Sequence, residues 1–372
     1  MKKFIAIVMV AMFALSMVAC SQPAAEETPA TEKTPATEET AAPEATTEAA
    51  SEYKVAMITD YGDITDQSFN QTTYEACQEF CDAEGLQFEY YKPAGDSTAE
   101  RVAMVDAAVA DGYNVIVMPG YAFAETIKET AELYPDVTFI ALDVAQGDLG
   151  EDYTVPSNVY CAVYQEELCG YMAGYAAVKL GYTHLGVLGG MAVPAVQRFG
   201  YGFVQGADAA AVEMGIADQV VMEYAYGNQF YGDSDITAYM DNWYQTLGVE
   251  VVFASGGGIY TSAAEAAKKV NAKVIGVDVD QKGIIDGDYG DGMTVTSAMK
   301  GLYPTTINAL TDIIVGGKWA DYAGKIETLG LVSETPEDNY VQLAGSTQFA
   351  DGFTQDDYKT LVASMFKGDI KV

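Results

Sequence analysis

Six consecutive residues, Asp66-Gln67-Ser68-Phe69-Asn70-Gln71, set a carboxylate, an aromatic ring and amides side by side. They follow an apolar run with strand character, Lys54–Thr59, and open an amphipathic stretch that reads as a helix. Loops between a strand's C-terminal end and a helix start are where open α/β sheets hold small molecules. The helix start adds free N–H groups and the positive end of its dipole. Ser68 with Gln71 also fits the capping box S-x-x-Q. On this segment alone both uses stay open, a binding loop or a well-capped helix.

A second constellation is Ile275-Gly276-Val277-Asp278-Val279-Asp280-Gln281. Asp278 and Asp280 point to the same side if the strand continues that far. A carboxylate fixed at a strand end can accept two hydrogen bonds from a vicinal diol such as ribose. The same groups would also serve as a helix cap or in an ion pair, and further ligands for a metal are not evident nearby. Thr296-Ser297-Ala298-Met299-Lys300 follows. Lys300, near a polar strand end, is placed either to pair with Asp278 and donate to a sugar hydroxyl or to sit solvated on the surface.

Gly256-Gly257-Gly258 follows the run Val251–Ala254 and precedes a helical pattern. No G-K-[ST] comes after it, so close backbone approach at Gly257 to an uncharged part of a ligand is favoured over a phosphate cradle. Gly120-Tyr121-Ala122-Phe123 brings two rings to another strand end, and Tyr260 and Phe230 can supply a facing ring. Each ring also fits core or surface packing, but together they suit a flat heterocycle.

The elements that position these residues begin after a distinct start. Lys2 and Lys3 precede an apolar run from Phe4 to Val18, about fifteen residues, which reads as a signal peptide over 1–19. Met17-Val18-Ala19-Cys20 resembles a bacterial lipobox and makes Cys20 the expected lipidation site, an anchor to the membrane and not a span. Residues 20–52 are built largely of Ala, Thr, Pro and Glu, too poor in apolar area to offset ordering entropy, and read as an acidic tether.

The net charge is −35, and loss of the two leader lysines makes it more negative still. Such acidity argues against nucleic-acid partners, whose phosphates need Lys and Arg. It also makes any buried cation rare and purposeful. Cys77, Cys81, Cys161 and Cys169 read as buried free thiols, and His184 is the only histidine. That shortage leaves no zinc set, no His-based triad and no cofactor motif, so no catalytic residue is expected.

Nine β-rich runs, from Lys54–Thr59 to Lys273–Val277, alternate with helical patterns from 68–83 to 355–367. Alternation at this spacing indicates parallel sheets covered on both faces. The pattern runs twice, over about 53–160 and about 165–290, with a tail left to complete both halves. The expected division is 53–163 with about 296–330 as a first lobe, and 164–295 with about 331–372 as a second.

Taken in chain order, Asp66–Gln71, Gly120–Phe123, Tyr134-Pro135-Asp136, Gly189-Gly190 with Pro194 and Phe199, Gly276–Gln281 and Thr296–Lys300 resemble the basic membrane protein family of lipoproteins, the purine nucleoside receptors of bacterial ABC importers. The resemblance implies a type I periplasmic-binding-protein fold, an α/β architecture of two doubly wound parallel-sheet lobes with a hinge and an interlobe cleft. It implies a nucleoside ligand, an ABC permease and its ATPase as partners, and no enzymatic step. It implies that Asn70 hydrogen-bonds the base, that Asp66 and Phe69 shape that loop, and that Asp278 and Lys300 hold the ribose hydroxyls. Thr65 departs from the family's usual ring before the acidic residue, and Glu125 stands where Asp is expected. Tyr61 or Tyr121 is the candidate replacement ring. The alternatives are the same fold binding a sugar or autoinducer, an enzyme acting on nucleosides, and a surface adhesin or immunogen.

Overall fold

The computed structural model describes residues 52–372. The signal peptide, Cys20 and nearly all of the tether lie outside the described residues.

Every expected strand forms, with ends within two residues of the sequence reading. The first sheet contains β1 (Lys54–Ile58), β2 (Gln87–Tyr91), β3 (Val115–Pro119), β4 (Thr138–Leu142), β5 (Val159–Tyr164) and β11 (Lys325–Leu329), in the order β11-β5-β4-β3-β1-β2. The second contains β6 (His184–Gly189), β7 (Val221–Tyr226), β8 (Val251–Ser255), β9 (Lys273–Asp278), β10 (Thr294–Lys300) and β12 (Val341–Leu343), in the order β12-β10-β9-β8-β6-β7. All pairings are parallel except β10 with β12. Central strands such as β3 are buried along their whole length, whereas the edge strand β2 is only partly covered. On β1, Val55 and Met57 join one apolar cluster while Ala56 and Ile58 join another, as a period of two requires when both faces are packed.

Helices α1 (Phe69–Glu84), α2 (Thr98–Ala110) and α3 (Phe123–Thr130) cover the first sheet; α4 (Glu166–Lys179), α5 (Pro194–Met214), α6 (Ser234–Asp241), α7 (Tyr260–Lys268) and α8 (Lys282–Tyr289) belong to the second half. The chain returns through α9 (Leu302–Leu310), which packs on α1, and ends with α10 (Gln355–Phe366) against α4. α6 and α9 each run on into a π-helical turn, Asn242–Leu247 and Thr311–Val315.

The expected division needs one correction. The sequence pattern puts the return to the first lobe near 296, but Thr294–Lys300 is a strand of the second sheet, paired with β9 and β12. The chain therefore leaves that sheet at Gly301. β10 escaped the apolar criterion because Thr294, Thr296 and Ser297 are buried polar residues, satisfied by Asp286, Thr347 and the Gln281 N–H.

α4 and α5 pack backbone to backbone. A Cβ at Gly170 or Gly174 would overlap the carbonyls of Phe199 or Phe203, and one at Gly202 or Gly206 would overlap those of Glu167 or Tyr171. Four small residues thus let two helices approach closer than side chains allow. The N-terminal end of α5 lines the space between the lobes.

The four cysteines of the described residues are free and buried. Burial raises the thiol pKa of each. Ellman's reagent is therefore expected to find none of these four in the native protein and all four after denaturation. Rapid native labelling would contradict their placement.

Candidate ligand-binding site

In each sheet the strand order 2-1-3-4-5 reverses direction beside the first strand of the set. Loops that leave a sheet at such a point splay apart and open a crevice. In the first lobe these are the loops after β1 and β3, carrying Asp60, Tyr61, Gly120 and Tyr121. In the second they follow β6 and β8, carrying Gly189 to Met191 and Gly256 to Gly258. A cavity of about 480 Å³ lies between the lobes and is lined from both.

The hexapeptide resolves into divided labour. Asp66 is the cap of α1: its carboxylate accepts from the N–H groups of Ser68 (2.9 Å), Asn70 (2.9 Å) and Gln71 (3.1 Å). The expected Ser68–Gln71 capping box does not form. Gln71 Oε1 accepts from the Gln67 N–H at 3.1 Å, and the Ser68 hydroxyl crosses the cleft to donate to Asp278 Oδ2 at 2.5 Å. Asn70 Nδ2 donates to Asp66 Oδ2 (3.1 Å) and Asp60 Oδ1 (3.4 Å). With its NH₂ held by two carboxylates, Asn70 Oδ1 is buried without a hydrogen-bond partner among the described residues. Asn70 lines the cavity, so this oxygen is the acceptor available to an incoming donor.

Asp60 was not singled out in the sequence. It follows β1, lines the cavity and accepts from the N–H groups of Tyr61 and Gly62 at 2.6 and 2.7 Å. Burial raises its pKa, opposed by those two hydrogen bonds.

Lys300 ends β10 and its side chain is 3% exposed. Its ammonium sits 2.5 Å from Asp143 Oδ2, 3.4 Å from Glu166 Oε1 and 3.7 Å from Asp278 Oδ1. The expected pairing with Asp278 is therefore present, but as the longest of the three. Glu166 Oε2 in turn accepts from Arg198 Nε at 2.6 Å. Burial opposes the Lys300 charge, and the carboxylates overcome it and hold the ammonium above its usual range. For Asp278 burial dominates, pushing its pKa up against the pull of Lys300 and Ser68. Asp143, Glu166 and Arg198 were also missed. Asp143 had one local signal, a carboxylate directly after a strand. Glu166 read as an ordinary acidic residue in a helix's first turn.

Gln67, Asp143 and Asp278 have left-handed backbones, with φ of 55°, 60° and 65°. Such conformations in non-glycine residues cost about 1–3 kcal/mol each and cluster at functional sites. At Asp278 this twist ends β9 and breaks the side-chain alternation. Asp280 is accordingly not on the Asp278 side: it lies outside the cavity, exposed, and accepts from the Lys282 N–H (3.1 Å) and Ser346 Oγ (2.7 Å).

Of the aromatic candidates, Phe69, Tyr121 and Tyr260 line the cavity with Tyr61, Phe199, Phe230 and Tyr231. The Lys300 ammonium lies 4.6 Å from the Phe69 ring centroid. Phe123 is not there. It is fully buried in the first-lobe core, because it opens α3 on the face turned to the sheet. Gly257 lines the cavity with φ of 56°, while a Cβ at Gly256 would meet the backbone of Gly190, so the close approach is between two loops of one lobe. Thr65 is exposed and donates to Asp63 at 2.7 Å.

The lobes touch across the cavity mouth. Gln281 Nε2 donates to Gln67 O at 3.2 Å, and the hydroxyl of Tyr61 reaches Met191 Sδ at 3.3 Å. With Ser68–Asp278, these contacts describe a closed clamshell.

The family model described as "ABC transporter substrate-binding protein PnrA-like" matches residues 53–342. Basic membrane protein B of Borreliella afzelii is 28% identical over 311 residues, covering 81% of this chain and 83% of that protein. The ABC transporter nucleoside-binding protein BmpA of Lactococcus lactis is 25% identical over 245 residues, covering 62% and 65%. A solved ABC transporter solute-binding protein from Aeropyrum pernix superposes with a TM-score of 0.66 at 22% identity, over 86% of this chain and 87% of that one. That likeness supports the type I periplasmic-binding fold seen in the paired sheets. This chain belongs to the PnrA-like family of ABC transporter substrate-binding proteins, which hold a ligand for a permease and its ATPase and do not transform it.

Proposed function

We propose that this protein captures a purine nucleoside between its lobes and delivers it to the permease of an ABC importer, while anchored through a lipidated Cys20. The observation that carries this reading is a cavity lined by both charged groups and aromatic rings. Asp278 and Lys300 line it together with Asn70, whose Oδ1 lacks a partner among the described residues, and with the rings of Tyr61, Phe69 and Tyr121. The volume of about 480 Å³ falls in the usual range of small-molecule sites. A ribose diol donates to Asp278 and accepts from Lys300. A base edge donates to Asn70 Oδ1 and stacks on a ring. Tyr61 and Tyr121 supply the ring that Thr65 lacks. Asp143 Oδ1, buried without a partner among the described residues, offers one more acceptor. Asp66 acts indirectly, as the cap that orients Asn70. The name of the Lactococcus relative points to the same class of ligand.

Thermal shift tests the reading. Adenosine, guanosine or inosine at about a thousandfold excess over its Kd adds about 4 kcal/mol and raises the Tm by several degrees. Galactose and arabinose are expected to leave it unchanged. A rise with the sugars alone would replace nucleosides by sugars as the ligand class.

A further inference from the structure

Glu166 is fully buried, does not line the cavity, and yet holds the ammonium that does. It opens α4 immediately after the first crossing between lobes, while Lys300 immediately precedes the second. Its two oxygens are divided between two cations, Arg198 Nε at 2.6 Å and Lys300 Nζ at 3.4 Å. Arg198 comes from the start of the second turn of α5, and the glycine-mediated contact of α4 with α5 keeps the two residues in register.

The charges around Lys300 do not balance. Asp143, from the loop after β4, and Asp278, from the end of β9, join Glu166 against two cations, Lys300 and Arg198. The other titratable groups facing Glu166 add no positive charge: Tyr164 from β5, and Glu167 and Cys169 from its own helix. A mostly buried cluster with more carboxylates than cations favours holding a proton. Glu166 is the member with the greatest burial and with the longer of its two contacts on Lys300.

We propose that Glu166, braced by Arg198, is a positioning residue for Lys300 and the group through which protons weaken ligand capture. Ionised, it draws the ammonium toward itself and keeps the 3.7 Å gap to Asp278 open for a ligand hydroxyl. Protonated, it releases the ammonium to Asp143 and Asp278, and the Asp278 oxygens are then occupied before the ligand arrives. Burial lifts the Glu166 pKa to about 7, against the pull of Lys300, so this exchange falls in the neutral range. Binding a ligand that needs the ionised form releases a proton.

The proposal rests on the nucleoside reading for its ligand but has a ligand-free arm. In the folded state Glu166 titrates near 7, in the unfolded chain near 4.3, so between these values the native state holds the extra proton. Its contribution to stability is present below about pH 4 and is lost as pH rises through 7. Relative to Glu166→Gln, which does not titrate, the ligand-free wild type is expected to lose Tm steadily from pH 4.5 to 8. A gap between the two proteins that does not vary with pH overturns the proposal, whatever the ligand is.

With a nucleoside the expected wild-type Kd rises about tenfold from pH 8 to pH 5.5, within the limit of tenfold per pH unit for one proton. Glu166→Gln binds at the weak level at both values. Titration of the wild type by calorimetry in phosphate and in imidazole near pH 6.5 is expected to show proton release, and needs no variant to fold. A flat wild-type Kd, a slope retained in Glu166→Gln, or no proton release overturns it. If adenosine, guanosine and inosine give no heat at either pH, the nucleoside reading fails and the ligand-free Tm comparison still decides the proton.

Discussion

Asp278→Asn is expected to weaken nucleoside binding by about thirty- to several-thousandfold with little change in Tm. Losing one partner of a buried, hydrogen-bonded charge pair costs roughly 2–5 kcal/mol of binding, which sets that range. Asparagine is the informative replacement because Asp278 has φ of 65°, a conformation asparagine tolerates and alanine does not. The amide oxygen still accepts from Ser68, so the lobe contact survives in form, while the charge facing Lys300 is removed. A 2′,3′-dideoxynucleoside should lose affinity for wild type and lose much less for the variant, since the diol partner is then absent from both sides. Calorimetry with inosine and its dideoxy analogue checks this. Equal affinity of wild type and Asp278→Asn for inosine would remove Asp278 from the ligand site.

Gly174→Ala is expected to cost about 3 kcal/mol or more, lowering Tm by roughly 10 °C or preventing folding of the second lobe. Alanine is the better helix former, so propensity alone predicts a small gain of about 1 kcal/mol. The structure predicts the opposite sign. A Cβ there overlaps the Phe203 carbonyl on α5, a backbone atom that cannot move unless the helices part. Parting them also separates Glu166 from Arg198, and any shift of α5 disturbs the Phe203 ring, which stacks on Phe253 of β8 at 5.1 Å. A Tm equal to or above wild type would mean that the α4–α5 contact is looser than described.

These predictions draw on parts of the molecule that differ in how far they show in the chain. The strands show because burial on both faces makes them short, continuous apolar runs. β10 stays hidden because its buried polar side chains are satisfied by partners distant in sequence, such as Thr347 for Thr296, while β11 is a mostly exposed edge strand and β12 is only three residues long. The glycines of α4 and α5 are visible as glycines, but the partner that makes them necessary is not.

The hexapeptide follows the same division. Its place at a strand-to-helix junction is a local matter and reads directly. The roles within it are not local: Ser68 resembles a cap and instead bridges to Asp278, 210 positions away, while Asp66 lines the cavity and also caps the helix.

By itself the sequence determined the α/β class, the doubling of the βα pattern and the loops that meet between the lobes. These follow from hydrophobic period and turn chemistry, carried by neighbouring residues; Asp278 and Lys300 stood out as candidates, and Asn70's role came only through the family resemblance. Only the tertiary structure decided that Asp143, Glu166 and Arg198 complete the surroundings of Lys300, that Phe123 is core, and that Asp280 faces solvent. The physical reason is that electrostatic partners are chosen by distance in space. Asp143, Glu166, Arg198, Asp278 and Lys300 come from five separate segments, and nothing in any one of them encodes the others until the two sheets close on a common cavity.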